Sequence, residues 1–225
     1  MGDAIGQMLP TAVGITISPL PIVAVVLMLT TGRGRANGLA FVAGWIVALA
    51  VVMAVVVAAA GDNATDDGGA PATWVNWLKL VLGALLLLMA ARQWRGRPRG
   101  GDEAALPKWM QALDTFEPPK AAGAGVVLAA ANPKNLLLAV AGAAVIAQAD
   151  LSGGQAAGAI AIFVVIATLG VAAPVAVAFA MGDRSRAVLD DLRAWLAHHN
   201  AAIMTVLLLV IGVKLIGDAI SGFAA

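Results

Sequence analysis

Residues 130–140 read AANPKNLLLAV. Apolar residues surround Asn132, Pro133, Lys134 and Asn135, and the apolar segment that they interrupt runs from 121 to 148. A segment that only anchors a protein has no use for a helix breaker, a cation and two amides. A cation at the bilayer centre costs roughly 2.5–3.5 kcal/mol on insertion scales, so Lys134 is expected to be paired, to line a wet cavity, or both. Pro133 has no N–H and clashes with the preceding turn. The carbonyls it frees need donors, which Asn132, Asn135 or water can supply. The expected structure is therefore a helix broken at mid-membrane.

The rest of the chain supports a membrane setting. Of 225 residues, 61% are hydrophobic and 12% charged, with a mean hydropathy of +0.91. Ordinary soluble domains are about half apolar and about a quarter charged. Six apolar segments stand at 5–31, 37–60, 74–92, 121–148, 154–181 and 200–222, each long enough for a core that needs about 20 residues. Eleven of the fourteen basic residues fall in or beside the first, third and fifth connections, and the second and fourth hold none. By the positive-inside rule the odd connections are cytoplasmic and both termini extracytoplasmic. The N-terminal MGDAIGQMLP carries an acid where a signal peptide has basic residues, so no cleaved signal is expected.

Several function classes are disfavoured. Cysteine and tyrosine are absent and only two histidines occur, which removes thiol, disulfide and phenol chemistry. A net charge of +1 gives no field for nucleic acid. Asp150 and Asp183 lie at span ends, so no carboxylate is expected deep in a span to bind a metal ion or carry a proton. DNATDD (62–67) has the residues of a calcium loop without its spacing, and adjacent His198 and His199 point about 100° apart on a helix. Both read as solvated or interfacial. No nucleophile–base pair, phosphate loop or ligand cluster is present in the sequence. The reading is not an enzyme, and no cofactor or metal is expected.

Shifted by 114 residues, the chain matches itself. ISPLPIV (17–23) falls on ANPKNLL (131–137), with Ser18 on Asn132 and Pro19 on Pro133, while Ala40 and Gly44 fall on Gly154 and Gly158. Those last pairs are small-xxx-small steps that let helices approach, with a hinge between halves as the alternative. The third and sixth spans match at a shift of 129, LVLGALLLL against LVIGVKLIG. Three spans per copy is an odd number, so the second copy enters from the opposite side. The fold class expected is an all-α polytopic membrane protein of six transmembrane helices, arranged as two inverted three-helix repeats with broken first helices. Repeat 1 covers 1–93, a cytoplasmic amphipathic linker 94–120, and repeat 2 covers 121–225. Leu106, Trp109, Met110, Leu113 and Phe116 give the linker an apolar stripe, read as an interfacial tie between halves or as a gate or docking element.

Inverted repeats characterise secondary transporters, whose sites sit at midplane breaks in corresponding helices. Lys134, Asn132, Pro133 and Asn135 are candidates for the charged half of such a site, and Thr16, Ser18, Pro19 and Pro21 for the neutral half. The competing reading of Lys134 is a structural lysine bonded to carbonyls of the broken first span. That of SPLP is a simple proline kink. Lys214 is a further candidate, reaching a cavity or pairing with Asp218 four residues on; Lys79 is expected to snorkel. With lysine present and no buried acid, an anion is the expected cargo.

Two regions, LPTAVGITISPLPIVAVVLMLTTGRGRANGLAFVAGW (9–45) and PKWMQALDTFEPPKAAGAGVVLAAANPKNLLLAVAGA (107–143), with the closing LLLVIGVKLIGDAISG, resemble the GAP family. These are the peptidoglycolipid-addressing or Sap-like sulfolipid-addressing proteins of actinobacteria. More distantly, the paired proline motifs are similar to those of the lysine-exporter (LysE) superfamily. The resemblance implies six spans, a bacterial inner membrane and export of cell-envelope glycolipids or their precursors. Membrane lipids are then partners, beside lipid-export machinery or a second copy of the chain. Export of a small amino acid or organic anion, and a non-transporting scaffold of a lipid-export complex, stay open as alternatives.

Overall fold

The computed structural model describes residues 1–60, 73–97, 115–149 and 151–224. They form helices α1 (Gly2–Thr16), α2 (Pro19–Leu29), α3 (Gly34–Ala60), α4 (Thr73–Arg95), α5 (Pro118–Val126), α6 (Pro133–Ala147), α7 (Gly153–Met181) and α8 (Ser185–Phe223). A π-turn, Val127–Ala131, continues α5, and a 3-10 turn, Gly182–Arg184, joins α7 to α8. No strand occurs among the described residues. The helices α3, α4, α7 and α8 are each long and apolar enough to cross a membrane. Two bent pairs bring the number of candidate spans to six: α1 with α2, bent by 48°, and Pro118–Ala131 with α6, bent by 64°.

Both bends fall where proline demands them. Ser18 and Asn132 are extended residues at the N-caps of α2 and α6, and Pro19 and Pro133 occupy the first turns behind them. Proline fits there because the N–H it lacks would be unsatisfied in a first turn anyway. The other boundaries are also chemical. Ser152 and Gln155 form a reciprocal capping box at the start of α7. Gly182, with φ +56°, ends it in the left-handed region that glycine enters without a Cβ penalty.

The spans alternate in direction along the bundle. Gly83 of α4 lies against Gly212 and Ile216 of α8, and Gly222 against Asn76, so these two helices run antiparallel. At Gly83 and Gly212 the backbones nearly touch: a Cβ on either glycine would meet the other's carbonyl oxygen, at 2.8 and 3.0 Å. α3 runs parallel to α5, with Asn37 bonded to the Phe116 carbonyl at one end and Trp45 beside Gly125 further along. α1 runs antiparallel to α6, with Gly14 against Leu138 and Gly142 against Thr11. Inside the bundle Met8, Phe41, Trp45, Leu138 and Phe163 are fully buried. Val47, Val51, Val55, Leu88 and Val206 are more than half exposed, as side chains facing lipid would be. Trp74 and Trp77 stand at one end of α4 and Trp94 at the other, a spacing typical of aromatic belts at the two interfaces.

Three expectations need correction. Residues 185–199 are helix, not connection: α8 has 39 residues, about 58 Å against a hydrocarbon core of about 30 Å. Its first turns place Leu189 and Leu196 inward while arginines and acids face out, so the mixed stretch is an amphipathic helix end. The Gly154–Gly158 step packs no helix, since nothing lies within 4 Å of a Cβ at Gly154 and only the Met1 side chain approaches Gly158. Its counterpart does pack: a Cβ at Gly44 would overlap the Ala122 carbonyl, and one at Gly125 the Phe41 carbonyl. Ala40, one turn before Gly44, is half-buried on the same helix. The third correction concerns Lys79, which does not snorkel; it is 6% exposed and donates to Gln148 Oε1 at 2.8 Å. Of the amphipathic reading of 104–120, residues 104–114 lie outside the described residues, as does the DNATDD loop.

Candidate functional site

The two helix breaks meet. Lys134, at the second position of α6, sends its ammonium across to the end of α1, where Nζ donates to the Gly14 carbonyl at 2.8 Å and to Ser18 Oγ at 2.5 Å. Ser18 Oγ in turn donates to Asn135 Oδ1 at 2.9 Å. Asn135 Nδ2 then donates to the Leu128 carbonyl at 3.0 Å, and Asn132 Oδ1 accepts from the Lys134 backbone N–H at 3.1 Å. Lys134 is 4% exposed, Ser18 2% and Asn135 0%.

Backbone accounting explains each bond. Leu128 lies in the π-turn, whose carbonyls bond five residues on. Its partner would be residue 133, and proline has no N–H to give. The Asn135 amide supplies the missing donor. At the other break, α1 stops at Thr16 and its last regular bond is from Ile17 N–H to the Val13 carbonyl. The Gly14 carbonyl beyond it is taken by Lys134. Thus the side chains of one break satisfy carbonyls at both, and the lysine also sits at the negative end of α1, where a cation is favoured.

Thr16 completes the neutral half differently. Its hydroxyl bonds the Ala12 carbonyl at 3.1 Å and the Ile166 carbonyl of α7 at 2.5 Å. Gly170 of α7 packs directly on the Thr16 carbonyl, leaving no room for a Cβ. Pro19 and Pro21 are buried in the first turn of α2. Their contribution is to shape the break, without a polar atom of their own apart from the carbonyl. Lys214 stands outside this group: on α8 it pairs with Asp218 at 2.6 Å, each side chain about a third exposed.

The structural reading of Lys134, a donor to carbonyls of the broken first span, describes the bonds it makes here. That reading leaves the charge unexplained. The long side chain is what reaches across to Gly14, and the end of α1 offers only partial negative charge to a full cation. Among the described residues no carboxylate pairs with Lys134; its partners are a carbonyl and a hydroxyl. No group of three or more metal-ligating side chains occurs among the described residues.

An all-helical chain with several apolar spans and a polar knot between two broken helices defines a multi-pass membrane protein. A family model described as Sap, sulfolipid-1-addressing protein, matches residues 8–221. The chain belongs to that family. No curated protein and no solved structure matches it. The family's description ties the chain to lipid.

Proposed function

We propose that this protein exports or flips an anionic or polar-headed cell-envelope lipid or lipid precursor, with the headgroup received at the paired helix breaks and the tails left in the bilayer. One observation carries the reading: the Lys134 ammonium is buried between two broken helices with no carboxylate among the described residues to neutralise it. A phosphate, sulfate or carboxylate would complete that charge and gain charge-assisted hydrogen bonds from Lys134 and Ser18. The family's sulfolipid description supports an anionic lipid. The closed knot is one end state of the cycle. In the other, the anion replaces the Gly14 carbonyl on Nζ and the two breaks separate.

Two inverted repeats, 1–93 and 121–225, are the architecture that fits this cycle. The breaks correspond at the 114-residue shift, Ser18 with Asn132 as caps and Pro19 with Pro133 behind them. Gly83 and Gly212 correspond at the 129-residue shift and are the pair that touch each other. Mutual contact between equivalent residues is what a two-fold axis between α4 and α8 requires. On this reading the arginine-rich end is cytoplasmic, both termini are extracytoplasmic, and the membrane is a bacterial inner membrane.

The test compares Lys134→Ala, Lys134→Arg and wild type for lipid export and, by mass spectrometry, for lipids that co-purify. The alanine variant loses the co-purifying anionic lipid and export, and arginine restores part of both. Full export by both variants at normal protein levels would sink the proposal.

A further inference from the structure

The two helix breaks differ in cover. From Gly14 to Leu29 no residue is exposed, so the bundle encloses the first break. At the second, Ala131 and Pro133 are exposed and Asn132 between them is half-buried, while Val127 is 57% exposed and Leu136 38%. About 20 Å of helix lies on either side of Asn132, which puts this open break at membrane depth. Non-helical backbone is not tolerated there against hydrocarbon; it must be buried in protein or line a polar cavity. The break does carry polar groups. Asn132 is extended, Pro133 has no N–H to give, and the last carbonyls of a helical segment lack partners within it. Asn135 takes that of Leu128, and Ala131 ends the π-turn at the surface. Asn132 Oδ1 accepts from the Lys134 N–H, which leaves its Nδ2 as a donor.

The open surface has an edge. Ala144 of α6 is 3% exposed and packs on Val75 of α4. Pro133 stands about three turns earlier on the same face of α6, yet it is exposed. α4 therefore covers that face near the outer end of α6 and leaves it open at the break.

We infer that the second break is a lateral portal, through which an anion carried in the bilayer passes Asn132 to reach Lys134 while its alkyl tail lies on Val127, Ala131 and Leu136. Lys134, next in the chain to the exposed proline, supplies the charge that draws the anion. The Asn132 amide donates to the headgroup on the way, and the apolar side chains take the tail. The first break, enclosed and uncharged, is the wall on the far side. The portal's part in export rests on the function proposed above; its binding of a tailed anion does not.

The experiment reconstitutes the full-length protein in phosphatidylcholine vesicles with hexadecyl phosphate carrying a diazirine on its tail. A neutral hexadecyl glucoside with the same tail is the control, and adducts are mapped by mass spectrometry after illumination. The phosphate probe labels 126–137 about tenfold more than the neutral one, the size of one charge-assisted hydrogen bond. The lipid-facing Val47, Val51 and Val55 of α3 take both probes alike. Lys134→Ala abolishes the excess at the break. Because that variant can also disturb the knot, Ala131→Trp is the second: at an exposed position it leaves the unfolding midpoint unchanged and blocks the excess, whereas Val47→Trp does not. An excess that is absent, lies on another face, or survives both Lys134→Ala and Ala131→Trp overturns the portal. Poor labelling of the break by both probes, with dimers in native mass spectrometry, assigns the surface to a second copy and overturns it too. Equimolar inorganic phosphate leaves the excess in place; full competition by it means a solute site and no lateral route. Full export by Lys134→Ala and Lys134→Arg, with the wild-type excess still at the break, counts against the export reading and not against the portal.

Discussion

At the scale of single residues, Asn135 shows how tightly the knot is drawn. It accepts from Ser18 and donates to Leu128 with one amide, fully buried. Asn135→Leu strands both partners and is expected to cost about 1–3 kcal/mol for each orphaned group, less where the membrane-unfolded chain finds other partners. The check is the thermal unfolding midpoint in detergent, which falls; an unchanged midpoint refutes the accounting. Asn135→Asp is the sharper variant. It keeps an acceptor for Ser18 and sets a carboxylate one hydroxyl away from Lys134, an internal rival for the anion. Export is expected to drop about tenfold or more, since an opposite charge so near is worth well over 1.4 kcal/mol when buried. An Asn135→Asp protein exporting like wild type, at equal abundance, would remove the case for an anionic cargo.

At the scale of helices, close approach is where the chain was least legible. The breaks could be read because Pro19 and Pro133 stand beside polar residues at matching positions of the two halves, whereas Pro10 and Pro174 lie inside continuous helices; Lys134 could be read because a charge in hydrocarbon demands a partner. Small-residue spacing carries no such information about which neighbour it faces. Gly44 packs on α5, Gly154 has nothing within 4 Å of a Cβ, and Gly170 bears directly on the Thr16 carbonyl without any motif to announce it. Gln148 was equally silent, since its partner Lys79 lies 69 residues away. The amphipathic start of α8 did carry a signal in Leu189, Leu192 and Leu196 at three- and four-residue steps, masked by the charges between them. A paired substitution tests the helix contacts. Gly170→Ala forces α7 off the end of α1, with an expected loss of about 1–3 kcal/mol as in overpacked cores and a lower unfolding midpoint. Gly154→Ala, with open space around it, leaves the midpoint within error or raises it through better helix propensity. Equal effects of the two changes would show that α7 does not seat on Thr16 as described.

At the scale of the whole molecule, charge and packing direction converge on one topology. Arg33 pairs with Glu117 at 2.7 Å, and Arg35 lies over the Phe179 ring. The first connection, the start of α5 and the end of α7 therefore share one end of the bundle. Met1 beside Gly158, Lys79 on Gln148 and Gly222 on Asn76 share the other. Among the described residues, Arg33, Arg35, Arg92, Arg95, Arg97, Lys120, Arg184, Arg186 and Arg193 mark the first end, which the positive-inside rule assigns to the cytoplasm. Because the chain has no cysteine, single-cysteine variants carry no background. Cysteines placed at Gly2 and Ser221 are expected to react in intact cells with a maleimide that cannot cross the membrane. Cysteines at Arg97 and Arg186 are expected to react only after the cells are opened. Labelling of Gly2→Cys alone would mean an odd number of crossings, so that one bent pair does not span and the two halves are not inverted copies. Labelling of the arginine-end positions in intact cells would reverse the orientation, and with it the direction of the export proposed above.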